Sequence, residues 1–210
     1  AHNIQNINLT PMVHNEKTEI MERTDFLRPK GNHKNLIAFQ KAECIYDMTC
    51  YFVSHYLPAI GDRTVDQMKQ AARSGKQNIA EGNEACTTSM ESGIRLINVA
   101  KASLKELQED YEDYLREHRL TLWGLTSERY RAAREWRKRR NRPHDYMYVS
   151  ENRDAETIAN ICLILIHQTD YLLKKLIDKL KSDFLENGGA REQMCKARRE
   201  FKEFKEYKER

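Results

Sequence analysis

The sequence predicts an all-α fold: an antiparallel four-helix bundle with a basic helical insert between helices 3 and 4 and a charged helical C-terminal tail. Apolar residues recur at three- and four-residue steps over long stretches, which is the period of one buried helix face. The chain of 210 residues is 32% charged yet has only four prolines and eight glycines, too few breaks for a many-turned sheet. The periodic stretches also open on capping residues and close on glycine, so each has a defined start and stop.

Residues 1–31 read as a mobile N-terminal arm, polar and interrupted by Pro11, Pro29 and Gly31. A bundle domain is expected over 32–187. Its first helix, near 35–57, carries Ile37, Cys44, Ile45, Met48, Phe52 and Tyr56 on one face and ends before Pro58. A turn is expected at Ile60-Gly61-Asp62. The second helix, near 64–81, opens on the capping-box pattern Thr64-x-x-Gln67, runs through Met68, Ala71, Ala72 and Ile79, and stops at Gly82. The third, near 88–117, opens on Thr88-x-x-Glu91 and carries Ile94, Ile97, Leu104, Leu107, Tyr111 and Leu115. The fourth, near 154–186, has Asp154 as N-cap, a stripe of Ile158, Ile161, Leu165, Leu172, Leu176 and Leu180, and a stop at Gly188-Gly189. Residues 116–153 are too long for a simple bundle loop and form the insert, with one candidate extended piece at Tyr146-Met147-Tyr148-Val149. Residues 188–210 form a charged helical suffix in which Phe201, Phe204 and Tyr207 are spaced by three. Its mixed charges suit a solvated helix or one packed on a neighbouring subunit.

Composition argues against several classes of function. The five cysteines, Cys44, Cys50, Cys86, Cys162 and Cys195, are scattered without a CxxC pair, and three of them fall inside apolar patterns. Free cysteines used as small hydrophobes point to a reducing, cytoplasmic home. No signal peptide is visible, and the longest apolar stretch, Ile158 to Ile166, is broken by Asn160 and too short for a bilayer, so no membrane partner is expected. A di-iron bundle needs Glu-x-x-His motifs, and the sequence has none. Ser74, Ser103 and the cysteines have no histidine at helical spacing, and no glycine-rich loop is present to cradle phosphate. The chain is expected to be no enzyme and to carry no metal or cofactor.

Two constellations remain. Asn78, Glu81, Asn98 and Gln168 lie within or beside apolar stripes on three helices. They read as a structural polar layer that fixes register, with a carboxylate-based site as the alternative. The second is the insert. From Arg116 to Arg142 ten cations face three glutamates, a net +7 in a chain whose total is +4. The positive excess therefore sits in one stretch, and nine of its ten cations are arginine. Guanidinium binds phosphate bidentately and stacks on bases. Both tryptophans, Trp123 and Trp136, lie in this stretch, an interleaving suited to single-stranded or irregular RNA. The nucleic-acid-binding candidates are Arg129, Arg131, Arg134, Trp136, Arg137, Lys138, Arg139, Arg140 and Arg142. The alternative is a surface hairpin whose tryptophans anchor it and whose arginines pair with acidic neighbours.

Three runs of residues resemble a known family. Gln67-Met-Lys-Gln-Ala71-Ala-Arg-Ser74-Gly-Lys-Gln-Asn78-Ile-Ala-Glu81-Gly82 is similar to the second-helix signature of the four-helix bundle proteins also called 23S rRNA intervening-sequence proteins. Leu96-Ile-Asn98-Val-Ala100-Lys-Ala-Ser103-Leu-Lys-Glu106-Leu107 resembles that family's third-helix motif, and Phe39-Gln-Lys41-Ala42 its opening. The resemblance implies an antiparallel bundle, often a ring-like homopentamer, without catalytic activity. Relatives of that family include the accessory variability protein of diversity-generating retroelements, which binds nucleic acid and a reverse transcriptase. RNA or DNA, a reverse transcriptase or another protein, and further copies of the chain are thus the implied partners. Ile164 and Ile166, off the main stripe of the fourth helix, are the candidate contact surface between copies. The glycine turn and charged tail resemble the C-terminal suffix of a bacterial subgroup. The sequence departs from the family pattern at Gln70, where arginine is common, at Gly75, where an apolar residue is common, and in the insert itself. A purely structural scaffold without nucleic acid is the alternative function.

Overall fold

The structure, a computed structural model, describes residues 32–58, 63–138 and 140–209. The expected arm over 1–31, the turn at Ile60-Gly61-Asp62 and Arg139 lie outside the described residues. Among the described residues every regular element is helical. After a short 3-10 turn, His33–Asn35, come α1 (Ile37–Tyr56), α2 (Arg63–Ala85), α3 (Met90–Glu117), α4 (Glu128–Arg137), α5 (Pro143–Asn152), α6 (Ala155–Asn187) and α7 (Ala190–Lys208).

The four long helices pack in a closed ring, α1 on α2, α2 on α3, α3 on α6 and α6 on α1. Contacts fix the directions. Gly75 meets Leu104 and Gly82 meets Ile97, so α2 and α3 run oppositely. Lys101 pairs with Asp170, while Ile94 lies beside Lys181, so α3 and α6 do too. Cys162 contacts Met48, and Arg153, just ahead of α6, accepts from the Tyr56 hydroxyl at the far end of α1. The ring encloses Ile45, Met48 and Phe52 of α1, Met68 and Ile79 of α2, Leu104, Leu107 and Tyr111 of α3, and Leu165 and Leu173 of α6. The Tyr111 hydroxyl, wholly buried, is partnered by Thr49 Oγ1 at 3.0 Å, and its ring meets Phe52 edge-on at 5.1 Å.

Several local expectations are corrected. Gly82 does not end α2, which continues to Ala85. It lies against α3, where a Cβ would stand 2.9 Å from Ile97 Cγ1 and 3.1 Å from the Gly93 carbonyl oxygen. α2 already includes Arg63, so Thr64 sits within its first turn rather than capping it. The cap of α3 is Ser89, whose hydroxyl accepts from Ser92 N at 3.2 Å, rather than Thr88. Tyr146 to Val149 are helical within α5, because Pro143 at the first position presets the helical φ. The buried face of the C-terminal half of α6 is Leu173, Ile177 and Leu180, with Leu172 and Leu176 at its margin. Asp154 caps α6 as expected, accepting from Thr157 N at 2.9 Å. α6 stops before Gly188, whose φ of 72° is a left-handed conformation that glycine adopts freely. α7 then runs on with most of its residues exposed. No helix among the described residues is long and apolar enough to cross a membrane.

The α2–α3 contact depends on missing side chains. A Cβ on Gly93 would collide with Cys86 Sγ and stand 2.8 Å from the Gly82 carbonyl oxygen and 3.0 Å from Cys86 N. Two of those neighbours are backbone and cannot swing away. At Gly75, Leu104 fills the space that an apolar side chain would claim, its Cδ2 lying 2.9 Å from a would-be Cβ. Gly93→Ala is therefore expected to destabilise the fold by about 1–3 kcal/mol, although alanine is the better helix former. Gly124→Ala, with nothing within 4 Å of its Cβ, is the matched control and is expected to be near neutral. Urea denaturation of both variants checks this, and a Gly93→Ala protein as stable as the parent would mean that the helices do not approach this closely.

The basic insert as candidate functional site

The insert begins with a chain reversal after α3. Arg119 takes a left-handed φ of 55°, and Leu120 N bonds back to the Leu115 carbonyl at 2.8 Å, satisfying one of the helix's last acceptors. The chain then runs along the start of α6 and is held there by two side chains. Asn160, almost fully buried, accepts from Trp123 N at 2.8 Å and donates to the Thr121 carbonyl at 2.9 Å. Glu156 accepts from Thr121 N at 3.0 Å, from Trp123 Nε1 at 3.3 Å and from Arg129 at 2.8 Å. These donors, led by Thr121 N, hold the Glu156 carboxyl below its ordinary range.

α4 follows, capped by Ser127, whose hydroxyl accepts from Tyr130 N at 3.2 Å. Its C-terminal end is fastened by a residue for which the sequence predicted no role. Lys41 of α1 is wholly buried, and its ammonium donates to the Arg137 carbonyl at 3.3 Å, to the Arg140 carbonyl and to the Tyr146 hydroxyl at 3.1 Å. A cation at a helix C-terminus meets the negative end of the helix dipole and the carbonyls that no helical N–H reaches. Burial pushes the Lys41 pKa down to about 8, which leaves it charged at neutral pH. Beside it, burial pushes the Cys44 thiol up to about 12 and the Tyr146 phenol above its ordinary value.

The sequence-predicted residues separate into two groups. Trp136 packs edge-on against Tyr146 at 5.2 Å. The Arg140 guanidinium lies 4.6 Å from the Trp136 ring centre and donates to the Trp136 carbonyl at 2.8 Å. Arg137 turns inward to donate to Gln168 Oε1, and desolvation lowers its pKa. Arg137 ties the insert to α6 and is thereby turned away from solvent, whereas the Arg140 side chain packs within the insert, on Trp136. Arg131, Arg134 and Arg142 are exposed. Arg129 and Lys138 are exposed too, paired with Glu156 at 2.8 Å and with Glu135 at 2.5 Å.

The four residues expected to form a polar layer are not brought together. Glu81 and Asn98 are exposed, Asn78 donates within its own helix to Ser74, and Gln168 serves Arg137. Among the described residues the buried polar side chains include Lys41, Thr49, Ser103, Ser150, Asn160 and Thr169. Ile164 and Ile166, expected on an exposed contact surface, are buried. Ile164 lies on the face of α6 that the insert bonds at Asn160 and Gln168, whereas Ile166 faces α3 beside Leu104. Among the described residues no group of three or more His, Cys, Asp or Glu is placed to hold a metal.

Fold and site together define an all-α protein whose basic appendage is fixed to its core. No family model matches the chain, and neither a curated protein nor a solved structure does.

Removing the ammonium while keeping the volume isolates the fastening. Lys41→Met takes one donor from each carbonyl, leaving Arg137 O to Arg140 N and Arg140 O to the Tyr146 hydroxyl, and removes the donor to the Tyr146 phenol oxygen. It is expected to cost about 1–3 kcal/mol. The helix content is expected to stay near parental while trypsin cuts faster around Arg137 to Arg142. Unchanged cleavage there would show that Lys41 does not hold the insert.

The same groups set the response to alkali. Between about pH 8 and its ordinary value of 10.5, folded Lys41 releases a proton that the unfolded chain keeps, so its contribution to stability rises with pH. Cys44 and Cys162, both pushed up to about 12, work in the opposite sense: above pH 9 the unfolded thiols ionise and the folded ones do not. Stability is expected to be nearly level around pH 8–9 and to fall beyond it. Cys162→Ala is expected to shallow that fall by about 1.4 kcal/mol per pH unit. Urea midpoints measured from pH 7 to 11 give the slope, and an unaltered slope in the variant would remove Cys162 from the account.

Proposed function

We propose that the chain is a non-enzymatic, homo-oligomeric antiparallel four-helix bundle protein of the 23S rRNA intervening-sequence kind. Its role in this reading is that of an RNA-associated accessory factor in a ribonucleoprotein or retroelement. The observation that carries it is the outward face of the insert, where Arg131, Arg134 and Arg142 are exposed on a segment that Arg129 and Arg137 tie to α6. A positive face on a fixed support presents several guanidinium groups to a phosphate backbone without the entropy cost of ordering a loose arm. The bundle kinship, a pentameric ring, DNA as an alternative to RNA, and a reverse transcriptase or other protein partner rest on the sequence resemblance alone. Burial of Ile164 and Ile166 takes away the residues expected to support self-association independently.

A scaffold without nucleic acid is the second reading, favoured by the pairing of Arg129 and Lys138 with carboxylates and by the inward turn of Arg137. The triple charge reversal Arg131→Glu, Arg134→Glu, Arg142→Glu separates the two. In the binding reading, affinity for single-stranded RNA falls steeply with salt, and each lost phosphate contact flattens the log–log slope by about 0.7. A folded triple variant with parental affinity and slope would leave the scaffold reading standing. Light scattering that gives a mass near the 24.8 kDa of one chain over a wide concentration range would remove the oligomer.

A further inference from the structure

Between the insert and the start of α6 lies a cleft of about 590 Å³ that the fastening contacts leave open. Its apolar lining is Trp123, Trp136, Val149 and Ile161. It is open because the α4 residues that face it, Ala132 and Ala133, have almost no side chain. Arg129, Asn152, Arg153, Asp154 and Thr157 line it as well, so guanidinium, amide, carboxylate and hydroxyl groups share the lining evenly with the apolar side chains.

We propose that this cleft takes one unstacked nucleobase, and the proposal rests on the nucleic-acid reading above. Three observations select that ligand. Two tryptophans in the lining suit a planar ring, because stacking on indole is strong and tolerant of base identity. Arg129 and Arg153 offset Asp154 and Glu156 around the cleft, so the slot is near neutral and suits an uncharged ring better than a phosphate. The exposed Arg131 and Arg134 flank Ala132 and Ala133 on the same helix, so cations for the attached phosphate stand beside the slot rather than in it. The walls are also set before the ligand arrives. Trp123 is held by Asn160 and Glu156, and Trp136 by Tyr146 and Arg140. A preorganised slot loses little side-chain freedom on binding.

The chain has two tryptophans and both line the cleft, so tryptophan emission, excited selectively over the ten tyrosines, reports on this site. The test titrates the whole protein with a single-stranded oligouridylate and, in a second arm, with AMP and UMP. Salt-dependent binding of the strand with quenching of tryptophan emission is expected. Ala132→Leu fills the slot from an exposed helix position without touching an arginine. It is expected to abolish the quenching and lower strand affinity about tenfold, the loss of one stacked base, with the salt slope unchanged. Quenching by the mononucleotides as strong as by the strand assigns the slot to a free nucleotide, and quenching by the strand alone assigns it to a base within a chain. Salt-dependent binding that leaves the emission untouched, or that Ala132→Leu does not weaken, overturns the cleft while sparing the arginine face. A parent protein that binds no strand and no nucleotide at any salt concentration overturns both.

Discussion

An ammonium group withdrawn from water needs acceptors wherever it goes. Lys41 sits in the middle of an apolar helix face and finds its acceptors in the Arg137 and Arg140 carbonyls and the Tyr146 hydroxyl. That requirement places the junction between α4 and α5 against α1. With the junction fixed, Trp136 is set against Tyr146 and Arg137 reaches Gln168. At the other end of the insert, Asn160 and Glu156 satisfy the backbone of Thr121 and Trp123. The insert is thus held at both ends by polar groups whose alternative is an unsatisfied site in the core, and such groups are costly to leave unmade. Arg131, Arg134 and Arg142 face solvent.

The other constraint is steric. Gly75, Gly82 and Gly93 let α2 and α3 approach until a helix backbone on one side meets side chains or backbone on the other. Close approach lets Ser74 and Ser103 bond each other at 2.9 Å across the interface. A pair this tight admits few alternative registers, since sliding one helix by a turn would drive Cβ atoms into backbone. The α2–α3 pair therefore acts as a rigid side of the ring, whereas α1 and α6 meet through larger, more adaptable side chains such as Met48.

The all-α class and the main helices were legible because they depend on side-chain period, which is written in residue identity. Asp154 and Gly188 were legible for the same reason, each having one local job. Ser89 was not, because Thr87, Thr88 and Ser89 offer three adjacent hydroxyls and backbone geometry selects one. Gly82 was misread because a helix stop and a close helix contact both call for a missing Cβ. Lys41 did leave a trace: Ala38, Lys41, Ile45, Met48 and Phe52 keep a three-four rhythm, so a charged residue stands at a core position. Its partners could not be read, since backbone carbonyls have no identity in sequence. The same limit applied to the arginines. α4 is too short and too polar for its pattern to show which guanidinium groups turn inward, and only tertiary contacts decide it. The expected layer of Asn78, Glu81, Asn98 and Gln168 failed because polar residues beside a stripe have water as a ready alternative to one another.

Lys41 and its acceptors also differ in when they come into being. The ammonium precedes the Arg140 carbonyl by 99 residues, so during synthesis α1, α2 and α3 are complete while the group that must solvate Lys41 does not yet exist. At about 5–20 residues per second the wait is on the order of 5–20 s. Throughout it the ammonium has to stay in water, which keeps that face of α1 from closing on anything apolar. The nascent chain can assemble its glycine-lined pair early, but the ring closes only when the insert delivers its carbonyls and α6 arrives behind it.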